Sequence, residues 1–301
     1  MTVVSLDTRR RDKIGGSEAA SACGVDPFRS RIMLWAEKTG RVERPETEAM
    51  KWGKLLEPVV FAELERQGFD VMPAPDVEWS LATHQWMSGH PDGFVGIDGE
   101  GGVLEIKTGS VFAGHDWTSD AGAPLPYLVQ VHHYMLLTGK QVGMLACLIG
   151  GQRLEVRIVE RDAEVVGAML DLQEDFLQYV RTDRPPPPDG SKSAADAIRA
   201  LHPISNGKTI RLDKATWEAC KELKARKEQI AVVKRQADEL QQRIELAMGD
   251  AEVAISPFDT TAAKWATREV TRIDTTALKA ARPEIASEFA VTKPERRFTL
   301  E

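Results

Sequence analysis

The sequence predicts an α/β domain followed by a helical extension, and three observations lead there. Runs with a 3.6-residue apolar period alternate with short, glycine-bounded apolar runs up to about residue 181. A stiff proline stretch, Asp183-Arg184-Pro185-Pro186-Pro187-Pro188-Asp189-Gly190, then interrupts the alternation. Beyond it, residues 216–247 keep a seven-residue apolar repeat. The expected boundaries are a first domain at 1–182, a linker at 183–213, and a coiled-coil helix with a small α+β extension at 214–301.

Near the start, Arg9-Arg10-Arg11 precede Ile14-Gly15-Gly16-Ser17, with Ser17 the expected N-cap of a helix that stops at Gly24. Amides at such a helix start, with Ser17 and the nearby arginines, would make an anion pocket suited to phosphate; from the residues alone, the plainer alternative of a solvated basic tail is favoured. A short amphipathic helix spans 30–39 and stops at Gly40. A longer one spans about 47–67, with Trp52, Leu56, Val59, Val60 and Leu64 expected on its buried face. Glu57 lies among those apolar neighbours, beside Pro58. It is either a solvated helix charge or an acid aimed at the hairpin that follows.

That hairpin is the centre of the reading. Trp86 to Ile97 is a strand broken at His90-Pro91-Asp92-Gly93. Asp98-Gly99 and Gly101-Gly102 supply the turn, since such pairs accept positive φ. Val103-Leu104-Glu105-Ile106-Lys107 returns as the second strand, and side-chain alternation puts Glu105 and Lys107 on one face. A carboxylate and an ammonium on a strand fit for burial are costly unless compensated. Asp92 can lie opposite Glu105 across the hairpin, so two carboxylates converge beside Lys107. Such hard oxygen donors suit Mg²⁺ or Mn²⁺. The plainer alternative is a strand-edge salt bridge between Glu105 and Lys107.

Past a Gly-Pro-rich loop at 109–126, a helix begins at Pro126 with Leu128, Val131, Met135 and Thr138 as its expected buried stripe. His132 and His133 are adjacent, face different directions and make a poor metal pair. Strands at 143–149 and 154–159, turned by Gly150-Gly151, lead to a helix at 161–181 carrying Val165, Met169, Leu172, Phe176 and Val180. In the extension, Leu223, Ile230, Ala237 and Ile244 take heptad position a. Ala219, Val233, Leu240 and Ala247 take d, with Arg226 the misfit. Strand-like runs at 263–273 and 296–300 flank a helix at 275–289. Trp265, Arg268, Arg272, Arg296 and Arg297 either meet a nucleic acid there or belong to a small cap.

Bulk properties bound the function. The chain has 301 residues, 42% hydrophobic and 28% charged, with no run approaching the roughly 20 apolar residues of a membrane helix. Its first residues lack the apolar core of a secretory signal. Cys23, Cys147 and Cys220 are far apart and lack C-x-x-C spacing, which fits a reducing cytoplasm and speaks against zinc, iron–sulfur or disulfide frameworks. The net charge of −7 is uneven. Residues 1–190 hold 19 Lys+Arg against 29 Asp+Glu, whereas 191–301 hold 20 against 17.

The motifs Ile14-Gly-Gly-Ser-Glu18, Leu34-Trp-x-x-Lys38-Thr-Gly40, Gly53-x-x-x-Glu57-Pro58, Pro91-Asp-Gly93, Leu104-Glu-Ile-Lys107 and Gln130-Val-x-x-Tyr134 occur in that order. Together they resemble the PD-(D/E)xK nuclease superfamily, and within it the YqaJ-type viral recombinases of the lambda-exonuclease branch, over about residues 10–182. The resemblance implies a restriction-endonuclease-like core, a mixed central sheet flanked by helices. It implies a Mg²⁺- (or Mn²⁺-) dependent 5′→3′ exonuclease on double-stranded DNA ends, acting in phage or prophage recombination in a bacterial cytoplasm. A single-strand annealing protein is the implied partner, and a homo-oligomer, a trimer by analogy, the implied assembly. Asp92 and Glu105 would be metal ligands, joined by the main-chain carbonyl of Ile106. Lys107 would orient or help deprotonate the attacking water, and Glu57 would act as a further acidic ligand through water. Gln130 would position the nucleophile or the scissile phosphate, while Arg10 and Ser17 would hold the 5′-terminal phosphate. A family serine two residues before the aspartate is replaced by His90, with Ser88 nearby. The alternatives are an endonuclease or a RecB-like nuclease of the same superfamily, and a non-catalytic DNA-binding scaffold. The cysteine pattern disfavours the iron–sulfur RecB-like kind.

Overall fold

The computed structural model describes residues 11–111, 117 and 122–300. The chain forms two compact units, Met1–His202 and Pro203–Glu301. In the first, five strands make a mixed sheet in the order β1 (Asp70–Pro73), β4 (Gly93–Ile97), β5 (Glu100–Gly109), β6 (Val142–Ile149), β7 (Arg153–Glu160). Neighbours pair antiparallel except β5 and β6, which run parallel. A parallel pair needs a crossover, and helix α4 (Leu125–Thr138) lies in that connection. The predicted α/β architecture with a mixed sheet is what the chain adopts. Strands β2 (Trp79–Leu81) and β3 (His84–Gly89) form a separate ribbon, so the broken strand of the sequence reading is two strands in two sheets.

Side-chain alternation divides the core into two layers. Leu104, Ile106, Met144 and Ala146 face one way and pack with Val60, Phe61 and Leu64 of helix α3 (Glu48–Arg66). Val103, Leu145 and Cys147 face the other way, against Val131 and Met135 of α4 and Ala19 and Ala20 of helix α1 (Gly16–Cys23). Helices α2 (Arg31–Lys38) and α5 (Ala163–Arg181) add Leu34, Trp35, Phe176, Leu177 and Val180 to a third cluster.

Several expectations change. The buried residues of α3 are Val60, Phe61 and Leu64, all in its C-terminal half, so Trp52 in the first half is exposed, and Val59 is exposed on the face away from them. Helix α4 is buried almost all round, because it touches the sheet, α1, α5 and the β2–β3 ribbon. The four-residue stripe was therefore too narrow, and its members Leu128 and Thr138 are only partly covered. Leu172 of α5 is likewise exposed. Ser17 is not an N-cap. Gly15 is, with its N–H donating to Glu18 Oε2 at 3.0 Å. The helix starts early because Ile14 is pinned to β3, through Ile14 N to Trp86 O at 2.7 Å and Ser88 N to Ile14 O at 3.0 Å. In the hairpin, Asp98 (φ 49°) and Gly99 (φ 85°) make the turn alone, while Gly101 and Gly102 sit inside β5. Within the 109–126 stretch, Trp117 is buried in the α4-side core.

Residues 192–201, inside the expected linker, form helix α6 (Lys192–Leu201). Its Ala194 and Ala197 pack on Ile32 of α2, and Ser30 N donates to Ser193 Oγ at 3.0 Å. The second unit holds helix α7 (Lys214–Met248), strands β8 (Val253–Ile255) and β9 (Thr261–Lys264), and helices α8 (Thr275–Ala281) and α9 (Pro283–Glu288). The strand expected at 263–273 is thus only the end of β9, and residues 296–300 carry no strand. The helix expected at 275–289 divides at Pro283, which cannot donate to the preceding turn. No described helix is long and apolar enough to cross a membrane.

Tyr134 is seated by two glycines. A Cβ at Gly16 would lie 2.3 Å from its ring, and one at Gly89 would lie 2.6 Å away. Gly89→Ala is expected to lower stability by about 1–3 kcal/mol through overpacking. Gly167→Ala, inside α5 with nothing within 4 Å of its Cβ, is expected to raise stability by about 0.5–1 kcal/mol. Urea unfolding of both variants measures the difference.

Candidate active site

Four elements converge at the C-terminal part of β5. Because β4 begins at Gly93, paired with Leu104, the main chain of Ile106 has no β4 partner. Asp92, just before β4, fills that place: its Oδ2 accepts from Ile106 N at 2.7 Å. In an extended strand a residue's N–H and C=O point to the same side, so the Ile106 carbonyl faces the Asp92 edge as well. Glu105 is 2% exposed. Its Oε1 accepts from Lys107 Nζ and, at 2.6 Å, from Gln130 Nε2 of α4. Its Oε2 is buried with no hydrogen-bond partner. Lys107 Nζ also lies 5.5 Å from the ring centre of Tyr127. Asp92, Glu105, Ile106, Lys107, Gln130, Glu57 and Ser17 all line one cavity of about 240 Å³.

The remaining residues sit around this cluster. Glu57, on α3 and partly exposed, lines the same cavity as Asp92 and Glu105. Among the described residues no three His, Cys, Asp or Glu side chains close on one point. Glu57 therefore shares the cavity without joining the other two acids directly. Ser17 borders both this cavity and a second one of about 300 Å³, which Lys13, Lys38, Glu78, Ser88 and His90 also line. Arg10 lies outside the described residues. Lys38, from the Trp-x-x-Lys motif, is a buried clamp, bound to Lys13 O at 2.6 Å and Glu18 Oε2 at 2.7 Å. His132 accepts from Asp162 N at 3.3 Å, and His133 contacts Ser88 O at 3.0 Å, so each fixes a neighbouring element. Two contributors escaped the sequence reading. Tyr127 was findable, since Tyr127, Gln130 and Tyr134 at spacings of three and four share a helix face. Arg29, whose Nη2 donates to Ser17 O at 2.6 Å, carries no motif signal.

Comparison with known proteins identifies the family of the chain. Residues 7–141 match the family model described as the YqaJ-like viral recombinase domain. A protein described as uncharacterized protein YqaJ, from Bacillus subtilis (strain 168), is 31% identical over 304 residues, covering 97% of this chain and 92% of that one. The chain belongs to the YqaJ-like viral recombinase family. Among solved structures, the alkaline exonuclease LHK-Exo from Laribacter hongkongensis is 21% identical, with a TM-score of 0.48 over 58% of this chain and 90% of that one. A phage related exonuclease from Haemophilus somnus 129PT is 13% identical, with a TM-score of 0.46 over 56% of this chain and 94% of that one. Every residue of the YqaJ-like cluster named above falls inside the matched stretch 7–141.

The electrostatics of the YqaJ-like site are those of crowded, buried charges. Burial, then the nearby Asp92 charge, pushes the Glu105 carboxyl up to about 8 against the pull of Lys107. Burial raises Asp92 too, opposed by Lys107 and by the Ile106 N–H. Glu57 is raised by burial and then by Asp92. For Lys107, burial favours the neutral amine, but Glu105 and Asp92 outweigh it and hold the group above its ordinary value.

A stability test follows from Glu105. Between its ordinary value of 4.5 and about 8, the folded protein binds more protons there than the unfolded chain. Its contribution is therefore fully present below 4.5 and lost as pH rises through 8. In EDTA, denaturant unfolding at pH 5 and pH 8 is expected to show a steeper fall for wild type than for Glu105→Gln.

Proposed function

We propose that this YqaJ-like protein is a Mg²⁺- or Mn²⁺-dependent deoxyribonuclease that digests linear double-stranded DNA from its 5′ ends. The observation that carries the reading is the orphaned Glu105 Oε2, buried beside the Asp92 carboxylate. An unsatisfied buried oxygen is expensive and rare. Its natural complement is a hard cation. Asp92, Glu105 and the Ile106 carbonyl would hold that ion, with Glu57 reaching it through water; the donor set is all oxygen, as Mg²⁺ and Mn²⁺ prefer. When bound, such an ion polarises a phosphoryl oxygen and lowers the pKa of water by several units.

The chain's own residues do the rest. Lys107, held protonated by Glu105 and Asp92, donates to a nucleophilic hydroxide or to the charge developing on phosphate. It is a poor acceptor of the water's proton in that state. Gln130 fixes the rotamer of Glu105 through its 2.6 Å bond and leaves the second carboxylate oxygen free for the ion. The Tyr127 ring stands 5.5 Å from the ammonium group and adds a cation–π contact to it. The cavity lined by Ser17, Lys13, Lys38, Ser88 and His90 adjoins the cluster and would offer hydroxyl groups to a terminal phosphate, while its two lysines are paired, Lys13 with Glu78 at 2.5 Å and Lys38 with Glu18 at 2.7 Å. His90 would take the place of the family serine there. The 5′→3′ direction, a role in phage or prophage recombination, a single-strand annealing partner, a trimeric assembly and a cytoplasmic site of action all belong to the same reading and rest on the family relationship.

Incubation of end-labelled linear duplex and closed circular DNA with Mg²⁺ or EDTA tests the activity. Loss of linear substrate from 5′ ends only with the metal is expected. Cleavage of closed circles would favour the endonuclease alternative, and intact DNA bound by the protein would favour a scaffold. Asp92→Asn and Lys107→Ala are each expected to lower the digestion rate at least about a hundredfold with unchanged circular dichroism. Gln130→Ala is expected to lose roughly tenfold, since it removes a positioning contact only.

A further inference from the structure

Helix α7 runs for 35 residues without burying a single side chain. Its seam residues Leu223, Ile230, Val233, Leu240 and Ile244 are between 38 and 65% exposed. Helices in proteins draw most of their stability from a packed apolar face, and a seam at heptad spacing is the geometry of knobs-into-holes pairing. From Ala219 to Ile244 the seam is about 37 Å long.

We propose that α7 pairs antiparallel with α7 of a second copy of this chain, about a two-fold axis midway between Ala231 and Val232. Antiparallel coiled coils set a positions against d positions. In this register Ala219 faces Ile244, Leu223 faces Leu240, Arg226 faces Ala237 and Ile230 faces Val233, each layer occurring twice. Large side chains meet small or matched ones throughout. Above all, the misfit Arg226 lies against an alanine, where its alkyl stem packs and its head reaches water. It is already bound to Glu222 Oε1 at 3.1 Å on its own helix. A parallel in-register pair would instead oppose Arg226 to itself and leave alanine facing alanine at 219 and 237.

The flanking positions agree in their charges at the ends. Glu222 of one copy lies beside Arg243 of the other, twice, and Gln229 lies beside Gln236. At the centre Lys227 lies beside Lys234, a like-charge pair that opposes this register by an amount similar to what each end pair contributes. Lys227 Nζ already lies 6.0 Å from the ring centre of Phe298. Cys220 falls beside Gln241. This pairing depends on α7 alone, so it stands or fails separately from the nuclease reading and from the number of nuclease units in an assembly.

Gln241→Cys in the full chain tests the register, with the native Cys220 as its partner. On mild oxidation with oxidised glutathione, a disulfide-linked dimer is expected on non-reducing gels. It should be absent from wild type, whose two Cys220 residues lie about 35 Å apart in this arrangement, and absent when Cys220→Ser is added. Cys23 and Cys147 are buried and do not contribute. In sedimentation equilibrium, Arg243→Glu is expected to weaken the pair roughly tenfold, and Glu222→Arg added to it to restore the affinity. A monomeric wild type at 100 µM (roughly the range where such pairs associate), or no crosslink above the wild-type level in Gln241→Cys, would overturn the proposal.

Discussion

One main-chain hydrogen bond organises the site: the Ile106 amide to the Asp92 carboxylate. It exists because β4 starts two residues too late to pair with Ile106, so the side chain of the residue before the strand substitutes for a backbone partner. The result is that a carboxylate from one strand connection is locked to the edge of the next strand, beside Glu105. Two acids that would repel each other in water are thereby held together in a dry place. Burial raises both carboxyls and the Asp92 charge raises Glu105 further, while Lys107 and Gln130 occupy one oxygen of Glu105 and leave the other without a partner. That imbalance is the chemical content of the site.

The surrounding fold serves to keep this arrangement rigid. Helix α4 brings Gln130 and Tyr127 over the sheet because it is buried on nearly every side, and its two histidines tie it to β3 and to the start of α5. Burial holds His133 near 4, in its neutral form, as a buried structural histidine requires. Helix α1 approaches closely because Gly16 and Gly89 leave room for the Tyr134 ring. Ser17 is carried into the cavity by that approach, backed by the buried Arg29.

Much of this was legible in the sequence because it depends on local rules. Alternation placed Glu105 and Lys107 on one face, the Asp98-Gly99 pair marked the hairpin, and the apolar periods of α3, α4 and α5 marked the helices that flank the sheet. What escaped depends on tertiary contacts. The exposed Trp52 and Val59 share an apolar helix with Val60, and only the packing against the sheet decides which of them is covered. Ser17 has good N-cap chemistry, but the pairing of Ile14 with β3 starts the helix earlier. Helix α6 is short and rich in alanine, and its place on α2 shows only once the proline stretch has been followed back to the first unit. Tyr127 is an ordinary aromatic until its ring is seen against Lys107.

The central claim is that Asp92 and Glu105 grip one divalent ion together with the Ile106 carbonyl. Anomalous diffraction from crystals soaked in Mn²⁺ tests it most directly. A single strong manganese peak is expected at about 2.0–2.4 Å from an oxygen of each acid and from the Ile106 carbonyl. A protein that digests DNA with Mn²⁺ but shows its manganese bound away from these three oxygens would contradict it.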